Sequence, residues 1–245
     1  MSGLVLITFV VSCLLASIHL NVRMLKFLRA IPRSRWLSFA GGVSVAFVFV
    51  NILPSLSIGQ VILQEEAAGI TPRRFEKHAY LVALVGLLAF YGVGRLVRTF
   101  RRRAREKRKG SPAAIYWIRT GSFALYNVII GYLLLRREIA GFWSLALYSI
   151  ALGLHFVVND FGLWLDNRHL YQISGRWILA LAILAGWTLS LITSVSDSLV
   201  AFLFAFLAGG IIMNVLNEEM PEERESSFWA LVLGCATFVI FEFFG

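Results

Sequence analysis

The chain has 245 residues, 58% of them hydrophobic and only 15% charged, with a mean hydropathy of +0.76. Soluble domains are roughly half apolar and a quarter charged, so this composition excludes an ordinary globular enzyme and points to an all-α integral membrane protein. The net charge of +9 is concentrated in one run, residues 98–110. Beside apolar segments such a run lies against anionic lipid heads and sets topology; nucleic acid is not an expected partner.

A bilayer core takes about 20 apolar residues per helix. On that measure eight transmembrane helices are predicted, over 3–21, 37–62, 78–98, 115–135, 141–165, 175–194, 197–216 and 226–244. They form a single transmembrane domain, 1–245, with a basic loop over 99–114.

The first helix contains Val10-Val11-Ser12-Cys13, which faintly resembles a lipoprotein cleavage box. No Lys or Arg precedes it, so the helix is expected to be retained. Cys13 and Cys235 both fall in apolar segments, make no CxxC pair and read as core cysteines.

The second helix reads AGGVSVAFVFVNILP, from Ala40 to Pro54, and the seventh reads AGGIIMNVLNEEMP, from Ala208 to Pro221. Each has a small-residue triplet, an asparagine, and a proline twelve or eleven residues after its second glycine. Because the two helices run in opposite senses, they predict an inverted repeat, a common transporter architecture. The alternative is that AGG is simply a packing triplet of membrane helices. The acidic cluster from Glu218 to Glu225 reads as a solvated loop, with a metal-collecting mouth as its alternative.

Lys and Arg favour cytoplasmic loops. The loops after the first, third, fifth and seventh helices hold 5, 10, 2 and 1 of them, and the alternate loops hold 3, 2 and none. Both termini are therefore expected outside. Compactness and the lack of a processed leader favour a bacterial inner membrane, with the lipid bilayer as a partner and a homodimer as the oligomeric expectation.

The chemistry is expected on the fifth helix, where His155, Asn159 and Asp160 interrupt the apolar run from Ala151 to Trp164. Ionisable residues at membrane depth are costly and mark function. At 100° per residue His155 and Asn159 share a face, whereas Asp160 is rotated about 140° from His155. Either Asp160 meets a different neighbour, or the helix is distorted there. Only a few residues join the fourth and fifth helices, which predicts antiparallel neighbours with Asn127 and His155 at similar depth. Imidazole, carboxylate and amide oxygen together suit a borderline divalent cation, so Asn127, His155, Asn159 and Asp160 are the candidate metal ligands. The alternative is a buried His and Asp neutralising each other across helices. A phenol at this depth needs a hydrogen-bond partner, and for Tyr126 that is His155 or Asp160. His19, His78 and His169 read as interfacial or loop residues, and Trp36, Trp117, Trp143, Trp164 and Trp229 as an aromatic belt.

These two helices resemble the fourth and fifth helices of the ZIP (Zrt-/Irt-like) metal-transporter family, whose motifs are HNxxDG and, about thirty residues later, HExPHExG. Tyr126 to Gly131 falls on the first motif, keeping Asn127 and Gly131 with Tyr126 on its His and Ile130 on its carboxylate. On the second, His155 and Gly162 are kept, Phe156 falls on Glu, Val158 on Pro and Asn159 on the second His, while Asp160 replaces the final Glu. Asn51 to Pro54 resembles the family's His-x-Leu-Pro ending of the second helix. The resemblance implies a ZIP-like eight-helix bundle and a permease admitting a divalent metal, zinc or a related cation, toward the cytoplasm as substrate. No resident cofactor is implied, and no enzyme. The replaced ligands imply a single site in place of two metals, or a ZIP-fold protein that no longer transports and serves as sensor, partner or structural protein. A metal-dependent hydrolase would need about three good ligands and an acid/base, and the remaining histidines do not supply them.

Overall fold

The structure is a computed structural model that describes residues 2–21, 33–67, 78–106, 113–136, 141–216 and 227–244. Those residues are almost entirely helical. In chain order the helices are α1 (Ser2–Leu20), α2 (33–67), α3 (His78–Glu106), α4 (Ala113–Arg136), α5 (Gly141–Asp166), α6 (Arg168–Ile192), α7 (Asp197–Asn214) and α8 (Phe228–Phe244). The first seven contain stretches long and apolar enough to cross a membrane, and α8 is a shorter apolar helix of 17 residues. The glutamates from Glu218 to Glu225 and the side chains of the basic run from Arg101 to Lys109 lie outside the described residues.

Three helices extend well beyond their predicted bounds: α2 at both ends, 33–67 against 37–62, α3 at its end and α6 at its start. α3 continues to Glu106, because the arginines after residue 98 are good helix formers and no breaker comes before Gly110. α6 begins at Arg168, directly after Asn167, whose side chain accepts from the Leu170 amide at 3.0 Å. The polar segment from Arg168 to Gly175 lowers the local hydropathy and hides this first part of the helix.

Two complete π turns lie among the described residues, and Val215 and Leu216, which continue α7, are also π-helical. One complete turn, in α2, spans Val48–Ile52, where the Leu53 amide bonds back to the Val48 carbonyl. Pro54 lacks an N–H, and its ring would strike the carbonyl four residues back, so a widened turn just before it relieves both problems. The other, in α6, spans Tyr171–Gly175, and the Arg176 amide bonds back to Tyr171.

The helices form two bundles, one of α1, α4, α5 and α6 and one of α2, α3, α7 and α8. In lipid no hydrophobic force drives helices together, so close packing depends on small residues. Here three crossings are each built from two glycines facing the other helix's backbone. A Cβ on Gly131 of α4 would lie 2.1 Å from the Ile183 carbonyl oxygen, and one on Gly186 of α6 2.0 Å from that of Val128. Gly42 and Gly234 join α2 to α8, and Gly86 and Gly209 join α3 to α7, in the same reciprocal way. Both AGG triplets thus contribute a packing glycine, Gly42 and Gly209.

α4 and α5 touch as expected, through Tyr126 with His155 and Arg119 with Asp166, but neither is the other's main partner. The main partner of α4 is α6, whereas α5 packs against α1 and α2. A short connection permits adjacency but does not impose it, and the complementary glycines lie on α4 and α6. Where the bundles meet at the other end, Ser55, Gly59, Leu133, Arg136, Asp197 and Phe204 are among the residues lining a cavity of about 330 Å³. Trp36, Trp117, Trp143 and Trp229 are exposed, as belt residues facing lipid would be, but Trp164 is 3% exposed and belongs to the interior.

Candidate functional site

α5 is a regular α-helix through His155, Asn159 and Asp160, so no distortion gathers the three. Helix rotation separates them into two networks. His155 Nε2 lies 3.0 Å from the Tyr126 hydroxyl and 3.0 Å from Asn159 Nδ2, placing both partners on the expected face and giving the phenol its hydrogen bond. Asp160 turns away and meets a different neighbour, His19 of α1. Its Oδ2 lies 2.8 Å from His19 Nδ1, and the two residues are 1% and 2% exposed.

Asn127 joins this second network, not the first. Its Nδ2 donates to the Leu179 carbonyl of α6 at 3.2 Å and lies 2.9 Å from His19 Nε2. A carbonyl can only accept, so the amide nitrogen must face Leu179 and with it His19. His19 Nε2 therefore accepts, and its proton sits on Nδ1, donated to Asp160. In this arrangement the imidazole brings a hydrogen bond to the carboxylate but no positive charge. Among the described residues neither Lys nor Arg pairs with Asp160, and its Oδ1 is buried without a hydrogen bond of good geometry, the Tyr171 hydroxyl beside the carboxylate being turned to the His19 carbonyl. Asn159 Oδ1, on the neighbouring residue, is buried and unpartnered.

The surroundings hold this geometry. The His19 ring packs on Phe156 at a centroid distance of 4.7 Å, and the Tyr171 hydroxyl donates to the His19 carbonyl at 3.1 Å. That carbonyl belongs to the last turn of α1, where intrahelical donors run out. Phe156 and Ile130, at positions where the ZIP motifs carry ligands, are fully buried apolar side chains. His155 and Asp160 are five positions apart, about 7.5 Å along the axis. His155 is near the middle of α5, and Asp160 lies toward the end where α4 and α6 begin and α1 ends, hereafter the basic end.

The four expected ligands are thus divided: Asn127 and Asp160 with His19, and His155 and Asn159 with Tyr126. Among the described residues no three His, Cys, Asp or Glu side chains come together as a metal group. His19 is the residue that the interfacial reading missed. Two residues from the end of an apolar run, it resembles a solvated terminus, and only the packing of α1 against α5 and α6 buries it. His169 is exposed and His78 is the first residue of α3, only partly buried. No family model, characterised protein or solved structure matches this chain.

Proposed function

We propose that the chain is a membrane permease for a cation, with a divalent metal such as zinc as its substrate and Asp160 as the charge that holds it. One observation carries this reading: a carboxylate buried at membrane depth presents an oxygen without a hydrogen bond of good geometry and has a neutral histidine in place of a counter-charge. A group left in that state is costly in low dielectric unless a cation comes to it. His19 adds an imidazole to the expected set of Asn127, His155, Asn159 and Asp160. The oxygens of Asp160 and Asn159 are the open donors, and the imidazole nitrogens become ligands as their amide partners turn aside.

The wider reading is a ZIP-like protein of eight membrane spans with an inverted repeat, in which one bundle rocks against the other. Both termini lie outside a bacterial inner membrane, and the metal moves toward the cytoplasm. Two features support it: the separation into two bundles, and the use of one kind of glycine crossing for α2 with α8 and again for α7 with α3. Exchanging α2 with α7 and α3 with α8 turns one crossing into the other.

The test is uptake of zinc, iron(II) and manganese by proteoliposomes holding wild type or the His19→Ala, His155→Ala and Asp160→Ala variants. Saturable flux that falls in the Asp160 and His19 variants is the expected result. Variants that accumulate all three metals as well as wild type does would refute the site. A second reading, a ZIP-like membrane protein that has lost transport, is favoured by the absence of a three-donor group among the described residues; saturable wild-type flux would exclude it.

A further inference from the structure

Between Asp160 and the basic end, α4, α5 and α6 enclose a separate core built on Tyr116, Phe161, Trp164 and Tyr171. A purely structural plug at this place would be filled by groups that need no partner. Instead the Trp164 indole N–H is buried without a hydrogen bond, and the Tyr116 and Thr120 hydroxyls have no partner but one another, in residues only 1–3% exposed. Such atoms cost stability inside a membrane protein unless water or a ligand reaches them. They are also continuous with the cation site. Tyr171 of this core donates to the His19 carbonyl at 3.1 Å, and His19 in turn bonds Asp160 at 2.8 Å.

Two features close this region. Arg119 of α4 donates through Nη1 to Asp166 Oδ2 at 2.8 Å, an ion pair with side chains 13% and 11% exposed that ties α4 to the last residue of α5. Gly162 leaves space for the guanidinium, since a Cβ there would lie 3.0 Å from Arg119 Nη2. One layer away, the Tyr116 hydroxyl fits against Gly175, where a Cβ would lie 1.9 Å from its oxygen. Gly175 closes the π turn of α6, and a π turn is a place where a helix can change register without losing its ladder.

We propose that Tyr116, Thr120 and Trp164 line the basic-end leg of a water-filled path leading from Asp160, and that the Arg119–Asp166 ion pair is the latch holding it shut. The permease reading supplies only the identity of what passes; the wall and the latch stand on their own geometry. When the latch parts, the start of α4 and the end of α5 separate. Water then reaches the Trp164 N–H, which has no partner in the closed form, and two hydroxyls that have only each other, so opening is repaid by the hydrogen bonds it completes.

The experiment measures access, not flux. In a background of Cys13→Ser and Cys235→Ala, Thr120→Cys is exposed in lipid nanodiscs to a charged, water-soluble thiol reagent, with the latch intact and with Arg119→Gln or Asp166→Asn. The lipid-facing Leu125, changed to Cys, is the control. Modification of Thr120→Cys should be about tenfold faster or more once either partner is neutralised, the population shift that ~1.4 kcal/mol brings, with the control unreactive throughout. An unchanged rate in a folded, monodisperse latch variant would overturn the proposal, and so would equal acceleration at Leu125→Cys, which marks general loosening. Should Arg119→Gln fail to fold, Asp166→Asn decides. Rapid access with metal flux indifferent to Asp160 would leave the path standing and refute the cation site, while flux that needs Asp160 with access unchanged would do the reverse.

Discussion

Replacing His19 with alanine tests the buried network at its centre. The change removes a hydrogen bond to a carboxylate, about 1.5–3 kcal/mol, and a ring contact with Phe156 worth about 0.5–1.5 kcal/mol. Asn127 loses less, because its amide keeps the Leu179 carbonyl. Together these give about 2–4.5 kcal/mol, overlapping the ~3–5 kcal/mol expected when one partner of a buried pair is removed and the other stays charged. A double-mutant cycle with Asp160→Asn, read by reversible unfolding in mixed micelles, isolates the pair. Neutral hydrogen bonds between membrane helices average only ~0.6 kcal/mol in such cycles, so a bond to an ionised Asp160 predicts a coupling of about 1.5–3 kcal/mol. A coupling under ~0.5 kcal/mol, within the scatter of independent sites, would show that His19 and Asp160 do not act on one another, and the reasoning for a charged Asp160 would fail.

Other consequences are more local. Gly186→Ala and Gly131→Ala each place a methyl about 2 Å from a backbone oxygen of the facing helix, and should cost roughly 1–3 kcal/mol or more in the same unfolding assay by forcing α4 and α6 apart; near-neutral values would contradict the close crossing. Tyr126→Phe removes the 3.0 Å contact with His155 at a cost of about 0.5–1.5 kcal/mol in the same assay; a neutral value counts against the contact. Asn51 donates to Glu242 Oε1 at 3.0 Å across α2 and α8. Asn51→Leu should therefore destabilise by roughly 1–3 kcal/mol, whereas Glu242→Gln, which keeps an acceptor and loses a charge, should be nearly neutral. Equal losses from these two variants would show that the bond is not what matters there.

Much of this protein is legible in one dimension, because a bilayer imposes one-dimensional rules. Each apolar run of sufficient length must satisfy its backbone internally, so hydropathy alone predicts the helices and places them within a few residues. The exceptions occur where composition and hydropathy part company, as in the arginine-rich end of α3 and the polar start of α6. The rotation of Asp160 away from His155 was also legible, since 100° per residue holds in any regular helix, and with it the choice between a distorted helix and a different neighbour.

Which neighbour it would be was not legible. Sequence adjacency put α4 beside α5, and the two do touch, but the closest pairing between membrane helices follows the places where two backbones approach most nearly. Gly131 with Gly186 takes α4 to α6, leaving α5 to face α1. That packing buries His19 against Asp160, turns Asn127 toward α6 and separates His155 with Tyr126 and Asn159 into a second network. The polar residues of α4 and α5, and their approximate depth, are thus determined by the sequence itself, whereas His19 joins them only through packing. Their division into two sites, and the neutral histidine that leaves one carboxylate oxygen open, are decided only by tertiary structure, because helix contacts depend on the shapes of whole faces and not on the order of residues along the chain.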